Sequence, residues 1–147
     1  IVALVAVTSF SVNAAELLMT SDAEAKASKE VHSARLSQSI TLDVATDGDV
    51  VGFQFNIPLP KNARTEQVNI KYCVSEVPKK YFSNCSVAKN HIIVQVANDD
   101  GNPIPAGIFP VGKVVLNGLS AKDHGTVHFI AADKNAEAIQ SLVRAVE

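Results

Sequence analysis

The chain has 147 residues, 47% of them hydrophobic, with 13 basic against 15 acidic side chains, two cysteines and no tryptophan. That length is one ordinary domain. A formal net charge of −2 excludes a strongly basic nucleic-acid binder and a polyanionic solvating chain as starting points.

Residues Ile1–Ala14 read IVALVAVTSFSVNA, uncharged and mostly apolar. The run is too short for the roughly 20 residues of a spanning helix. Val12-Asn13-Ala14 puts small residues at the −3 and −1 positions of a secretory cleavage site. A cleaved signal peptide over 1–14 is therefore expected, truncated at its basic end because the chain starts with Ile rather than Met. The product is expected to be secreted or periplasmic, without a membrane span after cleavage.

Residues 15–38 form a lead-in. Ser21-Asp22-Ala23-Glu24 has the spacing of a helix capping box, but the following AKASKEVHSARL has a thin apolar stripe. A marginal helix or a disordered lead-in fits equally. Residues 39–147 form the single domain. In SITLDVA, Ile40, Leu42 and Val44 share one strand face; in VVGFQFNI, Val51, Phe53, Phe55 and Ile57 do. Thr46-Asp47-Gly48-Asp49 between them predicts a tight hairpin, and Pro58 and Pro60 end the second strand. QVNIKYCV aligns Val68, Ile70, Tyr72 and Val74, leaving Cys73 on the opposite face. HIIVQVA aligns Ile92, Val94 and Val96; GKVVLNGL is nearly continuous in apolar residues; TVHFIA aligns Val127, Phe129 and Ala131. Ala136, Ile139, Leu142, Val143 and Val146 stand near helical spacing, which predicts a short C-terminal helix.

Short strands at this density predict an all-β fold, a two-sheet antiparallel β-sandwich, with a partly open barrel as the alternative. Cys73 and Cys85 are the only cysteines and, in an oxidising compartment, predict a structural disulfide. Closing a loop of that size stabilises by roughly 3 kcal/mol in the chain-entropy model.

Candidate chemistry is sparse. His124 and His128 have HxxxH spacing, but on a strand they stand about 13 Å apart at roughly 3.3 Å per residue, too far for one metal. His32 and His91 have no metal partner by spacing. Asp47 and Asp49, and Asp99 and Asp100, are calcium candidates in Gly-containing loops, although neither cluster completes an EF-hand and both suit ordinary turns. No GxSxG elbow or phosphate-cradling loop occurs. No metal, cofactor or catalytic residue is expected, and the chain is read as a non-enzyme. Lys79, Lys80, Tyr81 and Phe82 form a basic-aromatic cluster, the candidate binding tip. The absent Trp and few Tyr make a sugar-stacking platform hard to build, which favours a protein partner over a polysaccharide.

Two segments carry a family resemblance. TLDVATDGDVVGFQFNIPLP runs from a polar turn into a Gly-aromatic strand and prolines; HIIVQVANDDGNPIPAGIFPVGKVVLNGLS runs from a strand through an acidic Gly-Asn-Pro turn to another apolar strand. The stretch from Ser39 to about Asp133 resembles the cohesin-like and carbohydrate-binding-module-like secreted β-sandwich modules. The resemblance implies a jelly-roll that binds a protein, a dockerin-like module in the cohesins proper, or a polysaccharide, through an exposed sheet face and without catalysis. The opening segment and the C-terminal stretch, which reads as helix where the family places a final strand, lie outside the likeness.

Overall fold

Alternating side chains make each strand a two-faced ribbon, and ribbons whose apolar faces meet enclose a core. The computed structural model describes residues 14–23, 37–119 and 125–146. Of the signal peptide expected over 1–14, all but Ala14 lies outside the described residues, as do residues 24–36, His32 and His124. In chain order the strands are β1 (Ala14–Ala23), β2 (Ser37–Thr46), β3 (Gly52–Pro58), β4 (Val68–Asn69), β5 (Tyr81–Ala88), β6 (His91–Asn98), β7 (Gly107–Asn117), β8 (His128–Ala132) and β9 (Ala138–Val146), with a 3-10 turn at Thr65–Gln67. No helix among the described residues is long and apolar enough to cross a membrane.

The strands hydrogen-bond in the order β4-β7-β2-β1-β9-β8-β3-β6-β5. The ladder turns its corner at β9. Ala138 and Ile139 pair antiparallel with β8, whereas Gln140–Val146 run parallel to Ala14–Thr20 of β1. One strand thus serves both layers, as strands at sandwich corners do. The two ends of the ladder, β4 and β5, do not pair with each other, so the result is a curled β-sandwich and not a closed barrel.

The core follows from the alternation. Ile40, Leu42 and Val44 of β2 face Phe53, Phe55 and Ile57 of β3, Ile92, Val94 and Val96 of β6, and Phe129 and Ala131 of β8, all buried. Phe53 contacts Phe109 of β7 across the layers at 6.0 Å between centroids and Phe129 at 6.2 Å. Edge contacts of this kind add about 0.5–1.5 kcal/mol each beyond area burial.

Four local expectations are corrected. The Asp47-Gly48 step is not a hairpin: β2 pairs with β1 and β7, and β3 with β6 and β8. The connection crosses between layers because fully buried Val50 is captured on the other side. Its carbonyl accepts from Ile104 N at 2.7 Å, and Val51 N donates to Ala132 O at 2.8 Å. Gly48, at φ 100°, supplies the left-handed step that this crossing requires. The two-residue hairpin lies instead at Lys89-Asn90, between paired Ala88 and His91. Both of its residues have positive φ (49° and 64°), the geometry that matches strand twist.

QVNIKYCV is strand only over Val68–Asn69. Lys71–Glu76 form turns, so Cys73 is buried and Tyr72 exposed, the reverse of a strand reading. The Cys73–Cys85 disulfide and the bond from Lys113 N to Tyr72 O at 2.9 Å draw this stretch onto β7 and out of extended geometry.

The Ser21-Asp22-Ala23-Glu24 capping box is not formed, because Ser21-Asp22-Ala23 end β1, with Ser21 opposite Ile40 and Asp22 opposite Ser39. Ala15, Leu17 and Met19 are buried in this strand. The C-terminal segment is likewise strand, not helix. Asp133 Oδ1 accepts from Asn135 N and Glu137 N, both at 2.9 Å, and Ala136 sits at φ 62°. This turn launches β9 into the gap between β8 and β1, where backbone pairing outweighs a weak helical stripe.

Candidate functional site

The residues nominated from sequence do not converge. Cys73 and Cys85 are bonded, with Cα atoms 6.3 Å apart, and no free cysteine is left. Lys79 and Lys80 sit on an exposed turn, but strand alternation splits the aromatic pair behind them. Tyr81 turns inward, its ring edge-on to Phe109 at 5.3 Å, while Phe82 points outward, 48% exposed. Asp47 and Asp100 serve their own turns, accepting from Asp49 N at 3.1 Å and Asn102 N at 3.0 Å. Asp99 is an exposed turn residue beside them. Among the described residues, no group of three or more His, Cys, Asp or Glu is placed to hold a metal ion. His91 contacts Lys89 O through Nδ1 at 2.9 Å, and His128 stands exposed on β8.

Register assembles what sequence alone could not. The four strands β8-β3-β6-β5 are neighbours, and their outward residues fall into rows across the sheet. Ala132, Gly52, Ala97 and Phe82 form the first row. Ile130, Gln54, Gln95 and Asn84 form the second. His128, Asn56, Ile93 and Ser86 form the third. None of these four strands contains Lys, Arg, Asp or Glu.

Each of β1, β2, β7 and β9 in the other layer carries at least one charged residue. There, for example, Arg144 Nε pairs with Glu16 Oε2 at 2.9 Å. The charge-free face is nonetheless open to solvent. Ile130 is 62% exposed, and a shallow hollow of about 320 Å³ lies between Phe82, Gln95, Gln54 and Ile130. Gln95 Nε2 donates to Gln54 Oε1 at 3.0 Å across the centre, which fixes the two amides. Asn56 Oδ1 beside them is shielded and makes no hydrogen bond. Depletion of charge with exposed aliphatic and aromatic side chains is the composition of an interface core.

On the charged layer, burial pushes the Asp43 carboxyl above the usual carboxylate range. A group so raised holds its proton more tightly in the native state. The stability it lends is full below the unfolded value of about 3.9 and is lost as pH rises through the folded value. Asp43→Asn should therefore have a Tm at neutral pH no lower than the parent. Any advantage should vanish by about pH 3, as differential scanning calorimetry across pH would show; a lower Tm at neutral pH contradicts it.

No protein-family model matches the sequence, and no curated protein matches it significantly. Solved structures share the fold. A non-cellulosomal cohesin from the hyperthermophilic archaeon Archaeoglobus fulgidus gives a TM-score of 0.52 at 11% identity, over 90% of this chain and 91% of that one. A type II cohesin from Bacteroides cellulosolvens gives 0.53 at 11% identity, over 88% and 96%. A type II cohesin–X–dockerin complex from Acetivibrio cellulolyticus gives 0.52 at 12% identity, over 89% and 96%. The protein has a cohesin-like β-sandwich fold.

Proposed function

We propose that this chain is a non-catalytic, extracytoplasmic module that binds another protein on the outer face of β8-β3-β6-β5. The observation that carries the reading is the complete absence of charge from four adjacent strands whose outer face is exposed. A solvent-facing sheet ordinarily carries charge, which blocks unwanted contact. A dockerin-like partner is suggested by the cohesin–dockerin complex that shares the fold. The leader over Ile1–Ala14 and the Cys73–Cys85 bond support a location outside the cytoplasm.

An uncharged interface predicts salt-resistant binding, because screening acts on charges. The full chain used as bait on native envelope extract should retain a partner in about 1 M salt. Failure to recover a partner reproducibly overturns the proposal. So does retention on polysaccharide that Phe82→Ala abolishes, which assigns the face to a glycan.

A further inference from the structure

The ladder of strands has two ends, and the fold treats them differently. At one end the edge of β7 is covered. β4 pairs with Val115 and Leu116, Lys113 N donates to Tyr72 O at 2.9 Å, Val111 O accepts from Glu76 N at 3.0 Å, and Asn117 O accepts from Gln67 Nε2 at 3.2 Å. At the other end β5 pairs with β6 alone.

The free groups of β5 follow from its register. Ala88 and His91 close a two-residue hairpin, so they bond to each other, and alternate residues back along the strand bond to β6 in the same way. Ser83, Cys85 and Val87 are out of phase and turn their N–H and C=O groups away from β6. Tyr81 shares their phase, and its N–H accordingly reaches outside the ladder, to Pro78 O at 3.0 Å. The backbone groups of Ser83, Cys85 and Val87 on this edge have no partner among the described residues. Buried backbone groups are nearly always paired, so these face water.

Exposed edges are ordinarily blunted by charge, proline or a bulge. β5, YFSNCSVA, has no charged residue and no proline, and its pairing with β6 runs from Tyr81 to Ala88 without a shift. Charge stands at both ends instead: Lys79 and Lys80 before the strand and Lys89 after it, all exposed and none in an ion pair among the described residues. Lys80 Nζ stands 5.3 Å from the Tyr81 ring centroid, at the start of the edge. The acidic Asp99-Asp100 turn follows β6, on the side of β5 away from the edge.

That distribution selects the occupant. Full-length pairing with a second copy of β5 is disfavoured in either direction. Lys79 and Lys80 would stand beside Lys89 of an antiparallel copy, or beside their own equivalents in a parallel one, and like charges across a strand pair destabilise it. A strand with an uncharged centre and acidic residues at both ends meets backbone with backbone and charge with opposite charge.

We propose that the free edge of β5 takes up an extended segment of a partner protein by strand addition, a segment uncharged over its middle and acidic at both ends. The Ser83, Cys85 and Val87 backbone groups bond to the incoming strand, and Lys79, Lys80 and Lys89 hold its flanks. The edge is distinct from the outer face of the sheet, and the inference does not rest on the function proposed for that face.

The test is an NMR titration of the full chain with a peptide of alternating threonine and valine capped by two glutamates at each end, and separately with the same peptide capped by lysines. The glutamate-capped peptide should bind saturably and slow the amide hydrogen exchange of Ser83, Cys85 and Val87, and salt should weaken its binding. The lysine-capped peptide should bind about tenfold or more weaker. Ser83→Pro removes an edge N–H and none from the β6 ladder, and should weaken binding about tenfold. Lys79→Glu with Lys80→Glu and Lys89→Glu, all at exposed positions, should reverse the preference between the two peptides. The proposal is overturned if neither peptide binds saturably, if the two bind equally, if Ser83→Pro binds as the parent, or if the charge-reversed variant keeps the parent's preference. Protection of those amides in the free chain also overturns it, and protection that rises with chain concentration assigns the edge to a second copy instead.

Discussion

Gly112→Ala is expected to destabilise the sandwich by about 3 kcal/mol, the upper range for overpacking a filled core. A Cβ at this position meets backbone: it would clash with the carbonyls of Tyr72 and Cys73. A flexible side chain could swing away, but these carbonyls cannot. Tyr72 O accepts from Lys113 N at 2.9 Å, and Cys73 is held by its disulfide. The close approach has a cause in β7. Leu42 pairs with Gly112 and Asp43 with Pro110, so Val111 is an extra residue, a bulge of the kind that bends a strand and re-aims its side chains. The bulge lets Phe109 and Val111 on one side of it, and Val114 and Leu116 on the other, all be buried. It also brings the β7 backbone against the turn. Thermal denaturation should show a Tm lower by about 10 °C. A change within about 2 °C would mean that the turn is not docked as described.

Removing the disulfide should cost a similar amount. Cys73 and Cys85 are 12 residues apart in sequence, and opening a loop of that length costs about 3 kcal/mol in the chain-entropy model. Cys73 is fully buried, so Cys73→Ala with Cys85→Ala also loses packing beneath the turn. Urea denaturation of the double variant against the parent measures the difference, and intact mass with and without reductant verifies the bond. Combining this change with Gly112→Ala should cost less than the sum, since both release the same docked turn. Full additivity, or a loss well under 1 kcal/mol in the double cysteine variant, would contradict this view of the turn as one anchored unit.

Strand faces were legible wherever apolar and polar residues alternate cleanly. Ile40, Leu42 and Val44, or Ile92, Val94 and Val96, read directly as core, and they are. Pairing was not legible. The Asp47-Gly48 turn has ordinary hairpin chemistry, yet the burial of Val50 sends the chain across the sandwich. The true two-residue hairpin, Lys89-Asn90, contains no glycine to announce it. At the two ends, tertiary pairing decides. β1 and β9 lie beside each other through a parallel register, which no local window contains, and Leu142 and Val143, side by side, mimic a helical stripe. The uncharged face was hidden for the same reason. Each of its strands is visibly uncharged in sequence, but only the order β8-β3-β6-β5 makes them one surface. The cluster Lys79-Lys80-Tyr81-Phe82 was the signal that the chain did offer, and of its aromatic pair only Phe82 reaches that surface.

Binding through the uncharged face is the central claim, and comparing two single charges tests it most directly. Ile130 is 62% exposed in the middle row of that face, on its outer strand β8, and Ile108 is 60% exposed on β7 of the other layer. They are matched in size and accessibility, so neither substitution by aspartate should unfold the protein. Capture of the partner from envelope extract is to be measured with Ile130→Asp and Ile108→Asp as baits. Ile130→Asp should weaken binding about thirtyfold or more, as loss of an apolar hot spot does, while Ile108→Asp binds as the parent. Equal capture by both, or loss with Ile108→Asp alone, would contradict the account.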